Sequence, residues 1–152
     1  MNKWRSWCKL AISLLLVHSA AAAAESNTLS PHVNYLLRCS GCHGADGTGS
    51  KMGGIPAFPG LISSFASDDA GRTYVMHVPG VVSTGLDNRE IAEVMNYIVA
   101  RWGDPAVAVP SFTAAEVDAR RAIPVADIVV LRRDIARQLT AQGLPVAEYP
   151  WP

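Results

Sequence analysis

The sequence predicts an all-α fold of short helices, and three observations carry that reading. Helix-start signals recur along the chain at Ser30-Pro31, Ser67-Asp68-Asp69, Asp87-x-x-Glu90 and Thr113-x-x-Glu116. Each offers a side-chain oxygen to the unsatisfied N–H groups of a first turn. The apolar residues that follow recur at three- and four-residue spacing rather than in alternation. No internal repeat and no convincing strand is found.

Taken in order, residues 25–29 are a lead-in. Ser30 as N-cap, with Pro31 at the first helical position, starts a short helix whose apolar stripe is Val33, Leu36 and Leu37. That helix runs directly into Cys39-Ser40-Gly41-Cys42-His43. Residues 44–66 hold six glycines and two prolines and read as one long loop. A loop of that length without structure of its own is usually functional or wrapped on something. Ser67-Asp68-Asp69 opens a second short helix through Tyr74, Val75 and Met76, and Pro79-Gly80 ends it near Val78. The helix after the Asp87 capping box carries Ile91, Val94, Met95, Ile98 and Trp102 on one face, and Gly103-Asp104-Pro105 stops it. Residues 104–112 form a Pro/Ala linker. Thr113 caps a short helix reaching about Arg121, and Pro124 interrupts. A last helix covers roughly Ala126 to Gln142, with Ile128, Leu131, Ile135 and Leu139 on one face and Gly143 at its end.

The 152 residues balance 13 Lys and Arg against 13 Asp and Glu. Zero net charge without a basic block argues against a nucleic-acid binder. Hydrophobic content of 49% with 17% charged residues excludes a disordered chain. Those totals include an N-terminal segment that reads as a secretory signal peptide, residues 1–24. Lys3, Arg5 and Lys9 make a positive region, Leu10 to Val17 an apolar core, and Ala20 to Ala24 small-residue cleavage sites. The apolar run is too short to span a bilayer, which takes about 20 residues. Cleavage near Ala24 leaves 128 residues with a formal charge of −3, and it removes Cys8. Two cysteines remain, Cys39 and Cys42. The mature chain, with no transmembrane segment, is expected in the periplasm, an oxidising compartment.

Cys39-Ser-Gly-Cys42-His43 has the C-x-x-C-H spacing of covalent haem attachment. The two thiols add across the two vinyl groups of the porphyrin, and the adjacent imidazole reaches the iron. Other readings fit less well. Zinc needs four ligands, and His32 and His77 are the only further histidines of the mature chain. A thioredoxin-type pair opens a helix within a βαβ unit, whereas this motif closes one. A plain disulfide between residues three apart is uncommon.

On these residues the chain resembles the class I monohaem cytochromes c over about residues 30–103. The features are the helix ending in C-S-G-C-H-G, the A-D-G-T-G-S loop, a proline 13 residues after the histidine, and the terminal helix IAEVMNYIVARW. The resemblance implies a cytochrome c-like fold, short helices around one covalent haem c, working as an electron carrier and not as an enzyme. It implies Cys39 and Cys42 as thioether attachments and His43 as the proximal ligand. It also implies that Pro56 accepts the His43 Nδ1–H through its carbonyl. The chain then divides into a cytochrome domain, 25–103, and a C-terminal helical extension, 104–152.

The family usually supplies a methionine sulfur as sixth ligand from just before the last helix. Met76 is in about that place, but His77 follows it where the family commonly has proline or a small residue. His77 is therefore an alternative ligand. Met95 reads as core, Met52 lies close after His43, and an open position stays possible. Arg38 and Arg72 are candidates to pair with haem propionates, with solvated surface charge the more frequent role. Asp46 reads as a turn residue. The expected partners are redox proteins: a dehydrogenase of the quinoprotein or amine type as donor, and an oxidase or other acceptor. Alternatives are a haem subunit in a permanent complex and a ligand-binding haem protein. The extension either packs on its own domain or docks on a partner. With Lys51 the one lysine of the mature chain, docking would rest on apolar surface more than on charge.

Overall fold

The computed structural model describes residues 29–148, so the segment read as a signal peptide, residues 25–28 and the last four residues lie outside the described part. Eight helices are described: α1 (Pro31–Arg38), α2 (Ser40–His43), α3 (Ile62–Ser67), α4 (Asp69–His77), α5 (Pro79–Val82), α6 (Asn88–Trp102), α7 (Ala114–Arg121) and α8 (Ile128–Ala141). Among the described residues the β pairing is a single bridge, Ser50 to Ile55. No helix among them is long and apolar enough to cross a membrane.

The sequence signals act at the helix starts. Ser30 Oγ accepts from the Val33 N–H at 3.3 Å. Asp68 Oδ1 accepts from Gly71 N–H at 2.8 Å to open α4. At α6, Asp87 Oδ1 accepts from Glu90 N–H at 2.8 Å while Glu90 Oε2 accepts from Asp87 N–H at 3.0 Å, a reciprocal cap worth about 1 kcal/mol. Thr113 and Asp127 cap α7 and α8 from one side only, accepting from Glu116 N–H and from the Val129 and Val130 N–H groups.

Two local expectations are corrected. The buried face of α1 is Asn34 and Tyr35, while Leu36 and Leu37 are exposed. The residues of α1 that meet α6 are the ones whose rings pack on it, Tyr35 against Trp102 and His32 against Tyr97. The long loop is shorter than its glycine content suggests, because Ile62–Ser67 is helical and buried on nearly every side. Ser67 ends α3, and Asp68 is the cap of α4. As expected, α4 ends just before Pro79-Gly80, with Val78 as its cap, and Pro79 then takes the first position of the one-turn helix α5.

One cluster of buried side chains runs from Tyr35 through Phe58, Phe65, Met76 and the α6 stripe to Phe112, Val117, Ile135 and Leu139. The extension therefore packs on its own chain: α7 against α4 and α6, α8 against α3 and α4. The expected linker is itself anchored. Asn96 of α6 donates to the Phe112 carbonyl at 2.9 Å and accepts from the Phe112 N–H at 2.7 Å. After α8 the chain returns across α3, where Ser64 Oγ donates to Pro145 O at 2.6 Å. It reaches the glycine-rich loop, where Lys51 pairs with Glu148 at 2.7 Å.

The strongest tie is polar. Arg72 of α4 is 5% exposed. Its Nε and one terminal nitrogen donate to the two Glu116 oxygens at 2.6 Å each, and the other terminal nitrogen donates to Ala66 O and Pro110 O at 2.7 and 3.0 Å. The guanidinium lies 3.7 Å over the Phe112 ring. Arg120 adds bonds to Glu116, to the Thr73 hydroxyl and to Asp69. Neither expectation for Arg72 holds, since this buried pair leaves it neither at the surface nor free for a propionate.

Glu116→Ala strands the Arg72 guanidinium in the interior. It should lower unfolding free energy by about 3 kcal/mol, measured by denaturant titration. Hydrogen bonds from Arg72, helped by Arg120 and opposed by burial, hold the Glu116 carboxyl down at about 2. A lowered folded pKa contributes stability above the unfolded value and loses it as pH falls toward the folded one. The stability gap between wild type and Glu116→Gln should be constant above about pH 5 and close toward pH 2.

Candidate functional site

Cys39, Cys42 and His43 occupy one tight turn. α1 ends at Arg38, Cys39 is the joint, and α2 carries Cys42 and His43. The Cys42 and His43 N–H groups both donate to the Cys39 carbonyl, at 3.2 and 3.0 Å. Ser40 Oγ donates back to Leu36 O at 2.7 Å, tying the turn to α1. Three-residue spacing on one helical turn sets both thiols to the same side. Neither is in a disulfide, Cys39 is half-buried and Cys42 is exposed. Burial, with a smaller contribution from Cys42, pushes the Cys39 thiol up to about 11, so it stays protonated.

The His43 ring is held from two sides. Its Nδ1 lies 3.2 Å from the Pro56 carbonyl oxygen. That carbonyl can only accept, so Nδ1 carries the proton and Nε2 keeps the lone pair. The Phe58 ring stacks on the imidazole at 4.1 Å and 16°. Burial lowers the His43 pKa, against a partly opposing effect of the Pro56 bond. The neutral ring is the form that binds metal.

The glycine-rich loop delivers Pro56 and Phe58. Gly49 N–H donates to His43 O at 2.8 Å, Phe58 N–H to Gly47 O at 2.8 Å, and Ser50 and Ile55 exchange two bonds between these points. Gly49 has φ 66°, and a Cβ there would lie 2.7 Å from the Pro56 oxygen, so glycine is required both for conformation and for space. Asp46 Oδ1 accepts from the Thr48 N–H and hydroxyl at 3.2 and 2.8 Å, the work of a turn residue. Tyr35, fully buried, donates its hydroxyl to Gly44 O at 2.6 Å.

Cys39, Cys42, His43 and Pro56 are thus brought together. Met76 and His77 stand on a separate element, the last turn of α4. The Met76 side chain is fully buried in the core. The His77 ring is half-buried, and its Nδ1 lies 2.9 Å from the Thr73 carbonyl oxygen, which leaves Nε2 uncommitted. Met95 is buried in the α6 stripe, and Met52 is 97% exposed. Arg38 is exposed.

Sequence reasoning missed Phe58, Tyr35 and Glu116. Phe58 sits two residues after the proline that bonds His43, and Tyr35 sits one helical turn before Cys39. Those offsets were the available signals. Nothing in the sequence pairs Glu116 with Arg72, 44 residues away.

The donor set fits a covalently held haem. It offers two unbridged thiols on one turn and one imidazole with a single free nitrogen. Among the described residues no group of three or more His, Cys, Asp or Glu side chains is placed to hold a metal ion by itself, so protein ligands alone do not complete a zinc site.

No family model matches the chain. Cytochrome c-552 of Thermus thermophilus is 31% identical over 105 aligned positions, taking in 56% of this chain and 79% of that protein. A cytochrome c-552 from a named strain of the same species is similar at the same identity, over 70% of its own length. With an all-helical fold and a C-x-x-C-H turn, this relationship places the chain among the c-type cytochromes, electron-transfer proteins that carry haem covalently and are not enzymes.

Proposed function

We propose that the protein is an exported monohaem carrier of single electrons, taking them from a periplasmic dehydrogenase and passing them toward the respiratory chain. The observation that carries this reading is the turn Cys39–His43 with Nδ1 committed to Pro56 O. The haem supplies a reversible one-electron iron couple when bound. The chain's own residues do the rest. Cys39 and Cys42 would hold the porphyrin through thioethers, and His43, with Nδ1 committed to Pro56 O, would offer Nε2 to the iron. Pro56 and Phe58 keep that ring from turning, which would hold it in one orientation toward the iron. The signal-like N-terminus, with its basic region, short apolar core and small-residue cleavage sites, supports a periplasmic location.

The last turn of α4 would supply the sixth ligand. Met76 is the family-like donor, and a sulfur opposite histidine raises the reduction potential. A specific observation favours His77 as the second reading: its Nδ1 is bonded to a backbone carbonyl just as that of His43 is, while Met76 is packed into the core. Adjacent helical residues point about 100° apart, so only one can face the iron.

The extension packs on its own chain, which supports a self-contained carrier over a subunit of a permanent complex. Leu36 and Leu37, on the turn that leads into Cys39, are 40% and 64% exposed, and Lys51 is paired with Glu148. Partner docking therefore relies on apolar contact beside the attachment turn.

Cys39→Ala or Cys42→Ala should sharply lower holoprotein yield by haem staining, and wild-type yield of either variant would exclude thioether attachment there. The ferric wild type should show a long-wavelength sulfur-to-iron band that Met76→Ala loses. A wild type without that band, turned high-spin by His77→Ala, would give the position to His77. Spectra unchanged in both variants would remove α4 as the source. The rate of reduction by the donor should change by no more than about threefold between roughly 0.02 and 0.2 M salt. A fall of tenfold or more would replace apolar docking with charge steering.

A further inference from the structure

We infer that Glu116 and Arg120, both on the C-terminal extension, are positioning residues for the iron's sixth ligand. They act by fixing the rotation and height of α4. The inference rests on the reading that the last turn of α4 supplies that ligand.

The geometry couples the two along the helix. Residues four apart share a helix face, so Arg72 stands one turn below Met76 and Thr73 one turn below His77. Both of these lower residues are gripped by the extension. The two Glu116 oxygens take the fork of Arg72 at 2.6 Å each, and Pro110 O takes a third donor. Arg120 donates to the Thr73 hydroxyl, the Asp69 carbonyl and the Asp69 carboxylate, all at 2.8 Å. Glu116 also accepts from Arg120 at 2.7 Å, which joins the two grips into one network.

Thr73 is the shared link. Its hydroxyl receives Arg120, and its carbonyl bonds His77 Nδ1. A bidentate fork tolerates little rotation, and Arg72 is also pinned to Ala66 O of α3 and to the Phe112 face. Turning α4 about its axis, or sliding it along, breaks the Glu116 and Arg120 contacts together. α4 is only nine residues long, and a helix that short has little stability of its own. Its last turn is followed by Val78 and then by α5, a single turn that is itself too short to be stable alone. The extension, together with α3, holds the ligand turn in place.

An exogenous ligand competes for the sixth position, so its apparent affinity rises with the fraction of time the internal ligand is off. Cyanide binding to the purified ferric holoprotein should be titrated at a temperature where every variant is folded by circular dichroism. Glu116→Gln and Arg120→Gln should each tighten cyanide binding at least tenfold and weaken the internal ligand's absorption signature. Arg120→Lys, which keeps a donor at that place, should stay within about twofold of wild type. Leu139→Ala opens a cavity in the same extension without touching the network, so it should lower the melting temperature and leave cyanide affinity unchanged. Where Glu116→Gln fails to accumulate as holoprotein, Arg120→Gln alone decides.

Unchanged cyanide affinity in the network variants, with a lowered melting temperature, would make the network purely structural and overturn the inference. Equal tightening in Leu139→Ala would overturn it too, by showing that any loosening of the extension suffices. Met76→Ala and His77→Ala separate the underlying reading. If neither tightens cyanide binding, α4 does not supply the ligand and the inference falls with that reading. If one does while the network variants do not, the positioning role alone fails.

Discussion

A guanidinium cannot be left in a protein interior without partners, and Arg72 is 5% exposed. The cost of an unpaired buried charge runs to several kcal/mol, so every segment around Arg72 is arranged to meet it. α3 ends where Ala66 O can accept from it, the chain after α6 bends so that Pro110 O can, and α7 starts where Glu116 closes the fork. The extension follows from that requirement. Its apolar side joins the same core: Phe112, Val117, Ile135 and Leu139 complete a cluster that α3, α4 and α6 begin.

The attachment turn follows a different logic. It is built from local contacts, all within one turn of helix, and gains its precision from a loop that returns to it. Pro56 and Phe58 approach His43 from a hairpin-like excursion closed by the Ser50–Ile55 bridge. A chain of rings then links this corner to the helix pair: Phe58 lies 5.9 Å from Trp102, which lies 4.8 Å from Tyr35. The α1–α6 contact and the iron-side histidine are thereby parts of one packed unit. Aromatic pairs at such separations add to simple burial.

Much of this was legible in the residues. Capping side chains gave the starts of α1, α4, α6 and α7 because the N–H groups of a first turn need an acceptor close in sequence. The C-x-x-C-H turn was legible because its chemistry depends on spacing alone. What escaped was whatever depends on long-range contact. Leu36 and Leu37 looked like a core stripe, but burial on α1 is decided by where α6 lies, and the sequence of α1 does not contain that. The helix Ile62–Ser67 was hidden by its serines, Ser63 and Ser64. Both are buried, and their hydroxyls bond backbone groups from beyond residue 103, at Asp104 and Pro145. Arg72 was misjudged for the same reason, since its partner is 44 residues away.

The group that orients His43 is a peptide oxygen, so no side-chain replacement at position 56 can delete it. Mutational sensitivity is displaced to a residue with no side chain. At Gly49 any substituent would press on the Ile55 and Pro56 carbonyls, at 2.4 and 2.7 Å from its Cβ. The contact with the iron-side ligand is thus tolerant of change where it is made and intolerant one loop turn earlier. A change of side chain at position 56 leaves the accepting oxygen in the chain, whereas position 49 has almost no latitude.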